Sequence, residues 1–130
     1  MKMNPECILD ILFEIENIGK WTRHIQLTGS EPRLLKYNLE EVRYHARECY
    51  FNDFFDETAE YSEELDCPIG KLTAIARAFI ENTRSERSRT CVILAASRFP
   101  SFPLSVLVNV AEAFAESAAL DDRSPWIRHR

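Results

Sequence analysis

The sequence predicts an α+β, mainly α fold: a winged-helix-like domain with a small β-hairpin wing and two extra C-terminal helices. Three observations lead to this prediction. Apolar residues recur at helical spacing in five segments, aromatic residues and acids interleave between residues 52 and 68, and turn-forming residues separate the segments. With 130 residues and a hydrophobic content of 45%, the chain has the size and apolar material of one domain. We expect this domain to cover residues 1–120 and residues 121–130 to form a mobile tail.

The first helix is expected to begin at Pro5, because Asn4 is a favourable N-cap and Glu6 suits the positive end of the helix dipole. It should end near Gly19. The spacing predicts a buried stripe of Ile8, Ile11, Leu12, Ile15 and Ile18. The same spacing turns three polar residues toward solvent, namely Asp10, Glu14 and Asn17.

A short strand is predicted for Trp21–Leu27, where side chains alternate loosely, with Trp21, Arg23, Ile25 and Leu27 on one side. The second helix should begin near Asn38. Its predicted inner face consists of Leu39, Val42, Ala46, Cys49 and Tyr50. The segment 52–68 has no helical stripe, and we predict that it forms the hairpin wing.

Three more helices are predicted, at about residues 72–83, 88–97 and from Ser101 or Pro103 onward. The third is expected to bury Leu72, Ile75, Ala76, Phe79 and Ile80. The fourth carries Cys91, Val92, Leu94 and Ala95. The fifth has a broad apolar face, formed by Leu104, Leu107, Val108, Ala111, Phe114, Ala115 and Ala118. Two interpretations of this face are equally favoured: core packing alone, or an additional homodimer seam through Leu104–Ala118.

Net charge and hydropathy limit the classes of function that this chain can have. The net charge is −5, and residues 48–66 contain eight carboxylates and no Lys or Arg, a composition that disfavours sequence-independent DNA binding. The longest uncharged apolar stretch, residues 99–111, is too short to span a bilayer, so we expect no membrane association. Glu6 and Asp10 interrupt what would be the apolar region of a signal peptide, and a cytoplasmic location is expected.

No cofactor, metal or catalytic residue is predicted. Cys7, Cys49, Cys67 and Cys91 form no C-x-x-C pair and have no histidine at ligand spacing, so they are expected to be free thiols. The sequence contains no nucleophile elbow, phosphate-binding glycine motif or H-E-x-x-H motif. We therefore expect a protein that is not an enzyme. His45 is predicted to make a structural hydrogen bond at the boundary of the core.

Four segments resemble a known family. They are "ILDILFEIEN" at the start, "LEEVRYHARECYF" in the second helix, "KLTAIARAFIENTRSE" in the third and "FPLSVLVNVAEAF" near the end. In this order they are similar to the phage- and prophage-associated proteins of unknown function related to the Bacillus YjcQ protein. The resemblance covers about residues 6 to 116, and it implies a winged helix from a mobile element without an assigned catalytic site. Ala74 and Ala76-Arg77 stand where that family usually has a tryptophan and a Gly-His pair.

In a winged helix, the helix before the wing usually enters the DNA major groove. Here its outward face is predicted to carry Glu41, Tyr44, Glu48 and Phe51, with Glu40 beside them. Carboxylates repel phosphate, whereas exposed aromatic residues suit a protein interface, so we favour binding of a host or phage protein. The alternative is a dimeric DNA-binding transcriptional regulator. Its phosphate contacts would be Arg23, Arg33, Lys36, Arg43 and Arg47.

Overall fold

The computed structural model describes residues 2–99, 101 and 103–123, with side chains described as far as Ser117. Within these residues the chain forms five α-helices, one 3-10 turn and one β-hairpin. The helices are α1 (Pro5–Gly19), α2 (Leu39–Phe51), α3 (Ala74–Asn82), α4 (Glu86–Arg98) and α5 (Leu104–Arg123). The 3-10 turn is Pro32–Leu34, and the hairpin strands are β1 (Glu60–Ser62) and β2 (Cys67–Ile69).

This architecture confirms the predicted α+β, mainly α class. The order of α1, the 3-10 turn, α2 and the hairpin is compatible with a winged-helix-like arrangement, and α4 and α5 are the additional C-terminal helices. The predicted domain boundary at residue 120 falls within α5. Of the expected tail, residues 124–130 lie outside the described residues.

Side-chain caps fix where four of the helices begin, because they accept hydrogen bonds from backbone N–H groups that have no partner within the first turn. The Asn4 side chain accepts from the Glu6 N–H at 3.1 Å, and the Asn38 side chain accepts from the Glu41 N–H at 2.8 Å. Thr73 and Ser85 cap α3 and α4 in the same way. The starts of α1 and α2 therefore follow from the sequence as predicted.

The hairpin is antiparallel, with Tyr61 opposite Pro68. Its turn closes through a hydrogen bond from the Asp66 N–H to the Ser62 carbonyl oxygen at 2.8 Å. Gly70, just after β2, passes so close to the preceding loop that an added Cβ would lie 2.6 Å from the Ala59 Cα. Any larger residue at position 70 would push the loop away from the hairpin.

The core forms one cluster around α1, which packs against α2, α3 and α4. The hairpin packs on α2 through β2, and α5 covers α3 and α4. Among the described residues, none of the helices combines the length and apolar composition that crossing a bilayer requires.

The predicted strand at Trp21–Leu27 is wrong, because these residues, all of them described, form no strand. Ile25 and Leu27 are buried as the alternation predicted, but Trp21 and Arg23 are exposed. The link from this segment to the hairpin is a side-chain bond from the Ser62 hydroxyl to the Leu27 carbonyl oxygen at 3.2 Å. The buried side chains of Ile25 and Leu27 hold the segment against the core, but its backbone does not pair with a strand.

The predicted inner faces of three helices are too wide. Ile75 of α3 and Leu94 of α4 are 53% and 51% exposed, and Leu39 and Tyr50 at the ends of α2 are 43% and 41% exposed. Ala96 of α4 is buried instead of Leu94. Short helices contact their neighbours over one or two turns, so apolar residues at the edge of the stripe and at helix ends stay in solvent.

Candidate functional site

The predicted protein-binding face runs along α2, and its exposure increases toward the end of the helix. Glu41, Tyr44 and Glu48 are half-buried, whereas Phe51 is 71% exposed. Glu41 lies against the start of α1, with the Asn4 side-chain amide 3.5 Å from its carboxylate. The four residues share one side of the helix as expected, but the last turn is its most open part.

Phe51 stands beside a second exposed aromatic residue. The rings of Tyr50 and Phe51 are 5.5 Å apart with an angle of 51° between their planes. The helix ends directly after them, where the Asn52 side chain donates to the Glu48 carbonyl oxygen at 2.7 Å. Asp53 then takes a positive φ of 60°, which turns the chain back toward the buried Phe54. Because the chain turns inward here, the two aromatic rings are left uncovered.

The acidic hairpin adjoins α2. The Arg43 guanidinium donates from Nε to the Glu64 carbonyl oxygen at 2.7 Å and forms an ion pair with Glu40 at 3.0 Å. Arg43 thereby joins the outer flank of α2 to the hairpin turn. The exposed side chains of the hairpin are Glu60, Tyr61, Glu63, Glu64 and Asp66. We call these five residues together with Tyr44, Glu48, Tyr50 and Phe51 the α2–hairpin surface.

Two of the predicted phosphate contacts lie against α1. Arg33 forms an ion pair with Glu14 at 3.2 Å, and its backbone N–H donates to the same carboxylate at 3.1 Å. Lys36 forms ion pairs with Asp10 at 3.0 Å and with Glu6 at 3.7 Å. These two cations therefore neutralise carboxylates of the same chain, which reduces what they can offer to a phosphate.

The predicted positions of the carboxylates that pair with these cations are wrong. Asp10 and Glu14 were predicted to face solvent, yet each is only 3% exposed. Besides Lys36, Asp10 accepts a hydrogen bond from the Tyr37 hydroxyl at 2.7 Å, and Arg89 of α4 lies 3.6 Å away. The signal that could have revealed this cluster is the pair Arg33 and Lys36, which follows an acidic helix and the turn-forming residues 28–32.

The structure does not bring the five predicted cations together. Arg43 is bound to Glu40 and the hairpin, and the Arg47 Nε is 3.5 Å from the Arg43 carbonyl oxygen on the same helix. Arg23 lies apart from both, exposed beside a pocket lined by His24 and Lys71. A single phosphate-binding row formed by all five residues is therefore absent from this part of the chain.

His45 makes the structural hydrogen bonds that its sequence context predicted, but it is fully buried rather than at a boundary. Its Nε2 accepts from the Asn4 N–H at 2.8 Å, so Nδ1 carries the proton and donates to the Glu41 carbonyl oxygen at 2.7 Å. Burial lowers the pKa of His45 below the usual 6.5, against a smaller opposing effect of Glu41 and Glu48. The neutral ring thus ties the start of α1 to α2.

The cysteines are free thiols, and three of them are buried. Burial raises the pKa of Cys7 to about 12 and that of Cys67 to about 11, and it also raises the pKa of Cys49. Since the thiolate is the reactive form, these three cysteines are poor nucleophiles at neutral pH. In the described part of the chain, no three His, Cys, Asp or Glu side chains are arranged to hold a metal ion.

An open apolar groove of about 470 Å³ lies between α3 and α5. Ile75, Ala78, Val108 and Ala115 form its apolar surface. This groove includes part of the predicted homodimer seam, although the side chain of Ala118 lies outside the described residues.

Comparisons with protein-family models, with curated proteins and with solved structures found no match to this chain.

Proposed function

We propose that this chain is a non-catalytic interaction module that binds a protein partner through the α2–hairpin surface. The observation that carries the proposal is the exposure of Phe51, which reaches 71% beside the exposed Tyr50, on the helix that Arg43 joins to the acidic hairpin. Large aromatic side chains that are uncovered in the free protein and bordered by charged residues are typical of the energetic centre of protein interfaces. A partner with an apolar pocket and a basic rim would complement this surface.

The charges of the surface favour protein over DNA. The outward residues of α2 include Glu40, Glu41 and Glu48, and the adjoining hairpin adds further carboxylates. Arg43, the cation closest to them, is already paired with Glu40. A DNA backbone approaching this surface would meet repulsion that the remaining cations cannot offset.

The resemblance to phage- and prophage-associated proteins supports a host or phage protein as the partner. We further propose that this interaction takes place in the cytoplasm. An acidic hairpin beside an aromatic cluster can also occupy the nucleic-acid site of a basic partner, since carboxylates imitate phosphate charge.

The test compares Phe51→Ala with Leu94→Ala. Partners are captured from the native host with the immobilised wild-type protein, and the captured partner is then titrated by calorimetry. Phe51→Ala should weaken binding about 5-fold or more, which corresponds to about 1 kcal/mol. Leu94 is a matched control because it is 51% exposed but lies on α4. Equal effects of the two substitutions would contradict the proposed surface.

A dimeric DNA-binding regulator is the second candidate function. The observation that favours it is the position of α2 directly before the hairpin, which is where a winged helix carries its recognition helix. In that case, Arg43→Ala combined with Arg47→Ala should abolish binding to duplex DNA, and Glu41→Gln with Glu48→Gln should strengthen it. A gel shift at low salt with random duplex distinguishes the two functions, because salt-sensitive binding by the wild-type protein would favour the regulator.

We further propose that a second copy of the chain packs against the apolar groove between α3 and α5. The exposed Ile75 beside Val108 supports this proposal. Light scattering should then give the mass of a dimer, and Ile75→Glu should give the monomer. A monomeric wild-type protein at high concentration would exclude this seam.

A further inference from the structure

A second charged surface lies where the end of α1, the segment after it and the start of α3 meet. Arg23 and Lys71 line a pocket of about 130 Å³, and Lys20, Lys71 and Arg77 line a neighbouring pocket of about 270 Å³. The two pockets share Lys71 and Ile25, so the four cations border two adjoining pockets. We call Lys20, Arg23, Lys71 and Arg77, together with Trp21, the basic patch.

Unlike the cations beside α1 and α2, these four form no close ion pair with a carboxylate in the described part of the chain. Among the ion pairs of the described residues, none involves Lys20, Arg23, Lys71 or Arg77. The Arg77 guanidinium donates to the Leu72 carbonyl oxygen at 2.9 Å, which fixes its position without neutralising its charge. No carboxylate of the described residues therefore holds these four cations in a close ion pair that an external anion would have to displace.

Three carboxylates lie near the patch and offset part of its charge. Glu16 forms an ion pair with Arg84 at 2.8 Å, and Glu60 lies 3.9 Å from His24. Hydrogen bonds from Thr58, including its N–H at 2.9 Å, lower the pKa of Asp56, and the charges of Lys71 and Arg77 lower it further. The cations of the patch outnumber these carboxylates, so the local charge is positive although the whole chain is negative.

Trp21 adds an exposed aromatic side chain between two of the cations in the sequence. It follows Lys20 directly, precedes Arg23 by two residues and is 84% exposed, the highest value among the exposed large apolar side chains of the described residues. An exposed indole beside cations offers a flat surface on which a planar ring can stack. Every nucleobase has such a ring, whereas an acidic peptide seldom does.

We propose that the basic patch binds single-stranded nucleic acid, with phosphates at Lys20, Arg23, Lys71 and Arg77 and a base stacked on Trp21. A duplex suits the patch less well, because its bases are already stacked and the cations stand on a connecting segment and a helix start rather than along one inserted helix. This function goes beyond the proposed protein binding, since none of these five residues belongs to the α2–hairpin surface.

The test uses fluorescence anisotropy of a labelled oligothymidylate of about 10 nucleotides, a length within the range of small single-strand binding domains. The titrations start at low ionic strength, where phosphate contacts are strongest because counterion release is most favourable. The double variant Lys20→Ala/Arg23→Ala should lower the affinity about 10-fold and reduce the slope of log K against log salt by about 1.4, since each phosphate contact on a single strand contributes about 0.7. Trp21→Ala should lower the affinity about 5-fold or more.

The matched control is Lys2→Ala/Arg98→Ala, which removes the same charge from two exposed positions outside the patch. It should leave the salt slope nearly unchanged. A further readout uses Trp126→Phe protein, in which Trp21 is the single tryptophan. Its fluorescence should be quenched when the oligonucleotide binds, because stacking brings the base onto the indole.

Three results would overturn the proposal. They are an equal loss of affinity in the control pair, an unchanged affinity in Trp21→Ala, and polyglutamate or duplex DNA binding as tightly as the single strand. The last would assign the patch to an acidic protein or to duplex. Phe51→Ala should retain oligonucleotide binding in full, so failure of the proposed protein-binding function and failure of this inference remain distinguishable.

Discussion

The polar sides of α1 and α2 look alike in sequence and behave differently in the fold. Each helix has an apolar stripe and carboxylates at the positions between. On α1, Asp10 and Glu14 are 3% exposed and hold cations from the 3-10 turn region and from α4. On α2, the corresponding side ends in Phe51, which is 71% exposed.

The difference shows that helical periodicity locates the apolar stripe but does not say whether the opposite side is also covered. The segment around Arg33 and Lys36 folds over the polar side of α1 because its cations and the Tyr37 hydroxyl find acceptors there. No comparable segment among the described residues covers the last turn of α2. The aromatic side chains of that turn therefore stay exposed.

The largest expected change in the free energy of unfolding comes from a substitution in the core, and the effects on α1 and α2 are compared with it. Phe79 of α3 is fully buried, with its ring centroid 6.0 Å from that of Phe54. Phe79→Ala should lower the free energy of unfolding by about 3–5 kcal/mol, as large core truncations do. Denaturant titration measures it, and a loss under about 1 kcal/mol would refute the assigned face of α3.

The next effect concerns the covered side of α1. Asp10→Ala should cost about 1.5–3 kcal/mol, because the Tyr37 hydroxyl and Lys36 lose a charged acceptor. Asn17→Ala, an exposed position on the same helix, should change stability by less than about 0.5 kcal/mol. If both substitutions were equally mild, the polar side of α1 would face solvent as its periodicity predicted, and the contrast with α2 would disappear.

A pH-dependent effect probes the joint between the two helices. Because burial holds the pKa of His45 below 6.5 in the folded state, protonation favours the unfolded chain. The contribution of His45 to stability should be fully present above pH 6.5 and should be lost as the pH falls from there through the folded-state pKa. Unfolding free energies measured across this range should show the decline in the wild-type protein.

His45→Gln should flatten this decline even if it lowers stability overall. His24→Gln is the matched control, because the His24 side chain is 79% exposed and forms no bond between the helices. If the decline persisted in His45→Gln but vanished in His24→Gln, His24 would be its cause, and the prediction for His45 would be contradicted.

The smallest expected effect on stability belongs to the open end of α2. Phe51→Ala should change the free energy of unfolding by less than about 0.5 kcal/mol, since a side chain that is largely in solvent contributes little to the core. Thermal unfolding of the same preparations used for binding measures it. A loss above about 1 kcal/mol would show that Phe51 packs within the fold, and weaker partner binding could then be an indirect result.

By itself, the sequence determined the helical segments, the hairpin and most of the core. The starts of α1 and α2 follow from Asn4 and Asn38, because a cap is a local interaction between residues two or three positions apart. The class of the fold follows from the order of these elements. The acidic character of the hairpin and the outward position of Phe51 could also be predicted, whereas the exposure of Tyr50 could not.

Only the tertiary structure decided which polar residues remain available. Asp10 and Glu14 are buried by a segment about twenty residues further along the chain, and Arg33 and Lys36 are neutralised in the same contact. The basic patch arises because Lys20 and Lys71, distant in sequence, border one pocket. Charge and periodicity are properties of the sequence, whereas pairing and exposure depend on which distant segments the folded chain brings together.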